Sequence, residues 1–200
     1  MTVLLDSPAK LSVSPHVLSA IRAGDCNLAV WERPTDRAFE ALLATDLDDV
    51  RFSTTLSALE EGLRKELGEA GYPGTPERAA LIDDIVSLAK RYGDIMEIEA
   101  VSVRLAIVTT NSCRKFHADY VKARLITTYV GTGTQWIEAE DAARVAREQE
   151  PHRIHTFKAG DVGLFKGKMW TQNPAIHRSP PIEDSGETRL TLVLDPPRAG

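Results

Sequence analysis

The chain has 200 residues, 42% hydrophobic and 26% charged, with a formal net charge of −5. That length fits one domain, or one core with a helical attachment, and an acidic balance without a basic block argues against nucleic acid as a partner. No apolar run approaches the roughly 20 residues of a membrane helix, MTVLLDSPAKLSVS carries neither the basic nor the apolar region of a secretory signal, and two cysteines, Cys26 and Cys113, make no disulfide framework. A cytoplasmic setting is therefore expected.

The first 95 residues read as mainly helical. Residues 27–31 (NLAVW) form a short apolar run of strand character, and residues 36–45 carry alanine and leucine at helical spacing. Leu56, Leu59, Leu63 and Leu67 follow at steps of three and four, which draws one apolar stripe on a helix over 55–70. The sequence Gly71-Tyr-Pro-Gly74 breaks the chain. Thr75 and Pro76 then open a second helix as N-cap and first helical residue. Its apolar side holds Leu81, Ile82, Ile85 and Leu88, and Gly93 is its expected C-cap.

The texture changes near Met96. Residues 97–110 are rich in valine and isoleucine, as strands are. Further β-type runs cover 116–120, 123–130, 153–157, 162–165 and 188–194, with a short helix expected within the charged, alanine-rich stretch 135–152. Short strands after a helical half predict an α+β fold: a double-stranded β-helix (jelly-roll, cupin-like) over 96–200, with the 1–95 helices packed outside it as one compact unit. A two-layer β-sandwich without any site would show similar strands.

The chemistry concentrates in Cys113-Arg-Lys-Phe-His117-Ala-Asp119. Residues i and i+2 of a strand share a face, so His117 and Asp119 stand about 6–7 Å apart at the backbone. Both can reach one ion at roughly 2.1 Å. His177, after Asn173-Pro-Ala-Ile, is the best third ligand. Two histidines and one carboxylate leave open positions on the metal and mark non-haem Fe(II) oxygenases. In the last strand Arg189, Thr191 and Val193 share one face, and Leu190, Leu192 and Leu194 the other. The leucines suit a helical layer; the arginine would face the barrel interior, where it needs an anion, best a carboxylate.

Residues 110–195 resemble the Fe(II)/2-oxoglutarate dioxygenases. The shared pattern is H-x-D, a distal histidine and an arginine about a dozen residues later, here His117-Ala-Asp119, His177 and Arg189. The run Arg124-Leu-Ile-Thr-Thr-Tyr129 before Gly131-Thr-Gly-Thr134, and Lys158-Ala-Gly-Asp161-Val-Gly-Leu-Phe165, are similar to segments of prolyl-hydroxylase-like members. The resemblance implies Fe(II) on His117, Asp119 and His177, and 2-oxoglutarate on Arg189 and Thr191 with Tyr129 adding a hydrogen bond. The whole chain also resembles an uncharacterised bacterial family known as a domain of unknown function, whose members occur among zinc-responsive genes. That keeps an alternative open: a non-oxygenase, cupin-like zinc protein in metal homeostasis, with Cys113 as fourth ligand, since thiolate favours zinc. A metal hydrolase would also need a general base, and none is evident.

Plainer readings stand beside these. His117 with Asp119 also fits a surface pair, His177 a loop histidine, Arg189 a solvated strand residue and Cys113 a small buried hydrophobe. Tyr129 fits core packing, Trp136 and Trp170 fit either a pocket mouth or core packing, and His152 and His155 fit the surface. The substrate, small molecule or protein, and a homodimeric assembly are left open; nucleic acid and membrane are not expected partners.

Overall fold

A computed structural model describes residues 8–34, 37–44 and 46–197, with the backbone alone at 37 and 38. Among these residues the strands are β1 (Ala9–Ser12), β2 (Leu28–Trp31), β3 (Val50–Thr55), β4 (Ala100–Val108), β5 (Ala123–Val130), β6 (Gln135–Ile137), β7 (His155–Thr156), β8 (Val162–Lys166), β9 (Ile176–Arg178) and β10 (Arg189–Asp195). The α-helices are α1 (Leu59–Glu69), α2 (Pro76–Met96) and α3 (Ala139–Val145), with 3-10 helices over Pro15–Arg22 and Arg37–Ala44. No described helix is long and apolar enough to cross a membrane.

The fold is mixed α+β. One seven-stranded sheet runs β1-β2-β8-β5-β10-β4-β3, and a three-stranded sheet runs β7-β6-β9. The large sheet is antiparallel except for the parallel pair β1–β2. The region expected to be mainly helical also supplies β1, β2 and β3, so residues from both sides of position 95 share one sheet.

Two cores flank the large sheet. On one face Leu190, Leu192 and Leu194 of β10 and Val101, Val103 and Leu105 of β4 pack with the α1 and α2 side chains. Alternation dictates this, because every second residue of a buried strand meets the same layer. On the other face Ile126, Phe165 and Val193 pack with Trp136 of β6, Phe157 and Ala175, which fills the space toward the small sheet. Burying a side chain of that size contributes about 1.5–3 kcal/mol.

Four local expectations need correction. Helix α2 runs through Gly93 to Met96, and the left-handed C-cap is Glu97, with φ 56°. Gly93 serves close packing instead, since a Cβ there would collide with Leu56 and the Ile98 carbonyl. Helix α1 begins at Leu59, because Val50–Thr55 is already committed to pairing with β4. Residues 116–120 form no strand; a single bridge at His117 pairs with His177. The segment 36–45 is a 3-10 helix over Arg37–Ala44, and Asp36 and Thr45 lie outside the described residues.

Candidate metal centre

Backbone pairing assembles the site. His117 N donates to His177 O and His177 N donates to His117 O, both at 2.9 Å. The loop thus attaches to β9, itself held in register by β6, where Trp136 faces His177. Asp119 lies two residues on, and its carbonyl accepts from Lys168 N at 2.9 Å.

The side chains converge. His177 Nε2 lies 3.2 Å from Asp119 Oδ2, and His117 Nε2 lies 3.8 Å from Asp119 Oδ1. One ligand atom from each of the three residues falls within 4.8 Å of the other two, and among the described residues this is the one such cluster. His117 Nδ1 is 2.8 Å from Lys115 O and His177 Nδ1 is 3.3 Å from Ala175 O. A carbonyl only accepts, so the Lys115 and Ala175 carbonyls accept from Nδ1–H and leave Nε2 as the nitrogen able to ligate beside Asp119. Buried Asp119 Oδ2 has no hydrogen-bond partner. Two imidazole lone pairs around an unpartnered carboxylate oxygen fit a divalent cation.

Arg124 of β5 braces the carboxylate. Its Nη1 donates to Asp119 Oδ1 at 2.5 Å, while Nε and Nη2 grip Asp195 of β10 at 2.7 and 2.8 Å. Burial alone would raise the Asp119 pKa, but His177, Arg124 and His117 outweigh it and hold the carboxyl below its ordinary value.

Both histidines, Arg189 and Thr191 line one cavity of about 440 Å³. Arg189 is 1% exposed. Its Nε donates to Thr132 O at 2.6 Å and Nη2 to Thr128 Oγ1 at 3.3 Å, whereas Nη1 is buried without a partner. Burial pushes the guanidinium pKa down to about 10, and Glu187 offsets only part of this. The Gly131-Thr-Gly-Thr134 turn wraps around this arginine. Gly131 has φ 82°, and a Cβ there would meet Thr188 O at 2.8 Å and Arg189 Cγ at 3.0 Å. Thr191 Oγ1 sits 3.3 Å from Thr128 Oγ1.

Two residues fall outside the arrangement. Tyr129 points to the helical side, where its hydroxyl donates to Asp84 Oδ2 at 2.7 Å and its ring meets Phe39. The expected contact with a co-substrate is corrected by strand parity: Ile126 and Thr128 take the cavity side of β5, so Tyr129 takes the other. Cys113 is exposed, with φ 56°, and it borders the cavity but does not join the ligand cluster. Of the remaining candidates, Trp136 is buried and stacks on His155 at 4.1 Å, while Trp170 is 39% exposed. Sequence reading missed Arg124, Asp195, Thr128 and Thr132. The parity of Arg124, Ile126 and Thr128 was a usable signal for the first and third.

The chain belongs to the family described as protein of unknown function (DUF1826), whose model matches residues 12–195. No curated protein matches the chain. Among similar solved structures is the dioxygenase for auxin oxidation 1 of Arabidopsis thaliana in complex with 2-oxoglutarate, at 8% identity over 82% of this chain and 74% of that one, TM-score 0.49. AviO1 of Streptomyces viridochromogenes is 14% identical over 99% of this chain and 100% of its own, TM-score 0.47. A prolyl-4-hydroxylase of Pseudomonas putida is 14% identical over 82% and 93%, TM-score 0.37.

Proposed function

We propose that this chain is a non-haem Fe(II)- and 2-oxoglutarate-dependent oxygenase, with its two sheets forming a double-stranded β-helix. The observation that carries the reading is Arg189: a buried guanidinium with an unpartnered Nη1, in the cavity lined also by both histidines of the His117, Asp119 and His177 cluster. A buried cation of this kind is costly unless an anion arrives. The guanidinium fork favours a carboxylate, bound through two parallel N–H donors.

His117, Asp119 and His177 would hold the metal. Bound Fe(II) with 2-oxoglutarate and dioxygen supplies oxidation of a C–H bond to C–OH, with 2-oxoglutarate leaving as succinate and carbon dioxide. The chain's own residues bind and orient. Arg189 takes the far carboxylate of 2-oxoglutarate, with Thr191 and Thr128 beside it. Arg124 fixes the Asp119 carboxylate, and the Lys115 and Ala175 carbonyls fix the two rings. Val193 and Ile126 give the cavity floor an apolar character that limits water.

The test is metal analysis of protein purified without chelator, then anaerobic titration with Fe(II) and 2-oxoglutarate. A visible charge-transfer band that needs both components is the expected result. Tight stoichiometric zinc with no response to 2-oxoglutarate would overturn the reading and favour a zinc protein.

A further inference from the structure

The cavity has a second basic wall that 2-oxoglutarate would leave unused. Five arginines line it, Arg51, Arg104, Arg124, Arg178 and Arg189, against one acid, Asp49, in a chain whose net charge is −5. Most of these groups are engaged. Arg124 holds Asp119 and Asp195. Arg178 donates from Nε to Gln135 Oε1 at 2.7 Å and lies over the Phe116 ring. Asp49 Oδ1 accepts from Ile107 N at 2.8 Å. Arg51 and Arg104 make no ion pair or side-chain hydrogen bond among the described residues.

These two arginines are direct register partners on β3 and β4. Like charges directly opposite one another on one face of a sheet repel. Burial and then the charges of Arg124 and Arg51 push the Arg104 guanidinium below its ordinary pKa, and the opposing acid, Asp195, is already gripped by Arg124. An anion placed between Arg51 and Arg104 would relieve this repulsion.

Sheet register separates the pair from Arg189. Arg104 stands opposite Val193, and Arg189 opposite Val108. Three residues of β10 therefore intervene, a separation of about 13 Å along the strand. One ladder row runs Arg51, Arg104, Val193, Ile126, and all four line the cavity together with His117 and His177.

We propose that the cavity holds a second anion site, formed by Arg51 and Arg104, which takes the acid group of a small carboxylate- or phosphate-bearing substrate. The remainder of that molecule extends over Val193 and Ile126 toward the histidines. Its being the substrate rests on the oxygenase reading; the anion site itself does not.

The test is an NMR titration of the full-length, metal-free protein with inorganic phosphate and, separately, acetate, at 0.15 M salt to screen diffuse attraction. Arg51 and Arg104 Nε–H signals should shift saturably. R51Q should weaken binding at least fivefold, and because Arg51 is exposed the fold is spared. R104K should retain binding better than R104Q, and R189Q should leave the Arg51 response unchanged. The tighter of the two probes identifies a phosphate or a carboxylate group. Absence of binding by both probes, equal affinity in R51Q, or shifts confined to Arg189 and Thr132 would overturn the proposal. Anaerobic 2-oxoglutarate binding measured on the wild type reports separately on the oxygenase reading, so the two can fail independently.

Discussion

His117 and His177 exchange both backbone hydrogen bonds at 2.9 Å, and their rings stand 4.8 Å apart between centroids. The ligand geometry is thus fixed by main-chain pairing rather than by side-chain packing alone. Closely paired antiparallel residues sit about 5.5 Å apart at Cα, a spacing that lets two imidazoles share one ion.

The two histidines should respond differently to truncation. The His117 side chain is 37% exposed and that of His177 only 4%, and the His177 ring packs on Phe165 at 4.5 Å. His117→Ala should abolish metal binding with a change of about 0.5 kcal/mol or less in metal-free stability. His177→Ala should also abolish it, and should cost about 1–3 kcal/mol through the cavity it leaves. Metal content and urea unfolding of the metal-free proteins measure both effects.

Arg124 couples the ligand set to the last strand of the large sheet. Arg124→Gln should lower metal affinity by about 10- to 100-fold, the usual effect of removing a group that orients a ligand. It should also cost about 1–3 kcal/mol, because Asp119 and Asp195 lose their partner while largely buried. Competition with a metal-binding dye gives the first quantity and chemical denaturation the second. An unchanged affinity would mean that Asp119 is oriented without Arg124.

The last strand was legible because it follows strand parity: the alternation from Arg189 to Leu194 separated a cavity face from a helix face. H-x-D placed His117 and Asp119 together by their closeness in sequence, although 116–120 form no strand and only His117 is bridged. Tyr129 was misassigned although parity with Arg124, Ile126 and Thr128 pointed the other way. The Arg124–Asp195 clamp joins residues 71 positions apart in sequence, and no local signal encodes that. Strands β6 and β9 have three residues each, too short for alternation to show. Arg51 and Arg104 became neighbours only through the β3–β4 register, since β3 lay in the region read as mainly helical.

Arg189 and Cys113 separate an oxygenase from a zinc protein. Arg189→Gln should weaken 2-oxoglutarate binding by about 2–5 kcal/mol, the scale of truncating a buried charge pair, and should leave metal content unchanged. Cys113→Ser should change neither quantity, because the thiol lies outside the cluster. Calorimetric titration and metal analysis of the two variants make the comparison. Loss of metal in Cys113→Ser with no effect of Arg189→Gln would reverse the assignment.

The same arginine predicts two pH effects of opposite sense. Its folded pKa is near 10, well below the ordinary guanidinium value, chiefly through burial. Below pH 10 both folded and unfolded states carry the charge, and the folded state bears its full desolvation cost, about 3 kcal/mol by this displacement. Above pH 10 and below the ordinary guanidinium pKa the unfolded chain binds the extra proton, so metal-free stability should rise with pH in that window relative to Arg189→Met. Affinity for 2-oxoglutarate should move the other way. It should be flat up to about pH 9 and fall as the free protein loses its charge near pH 10. Replacement by methionine should remove both trends and, by deleting an unpaired buried cation, should leave metal-free stability unchanged or raise it by about 1–3 kcal/mol. Urea unfolding of the two proteins at pH 8 and 10.5, with 2-oxoglutarate binding at the same values, tests each direction; a parallel pH response in both proteins would show that Arg189 is solvated and not waiting for an anion.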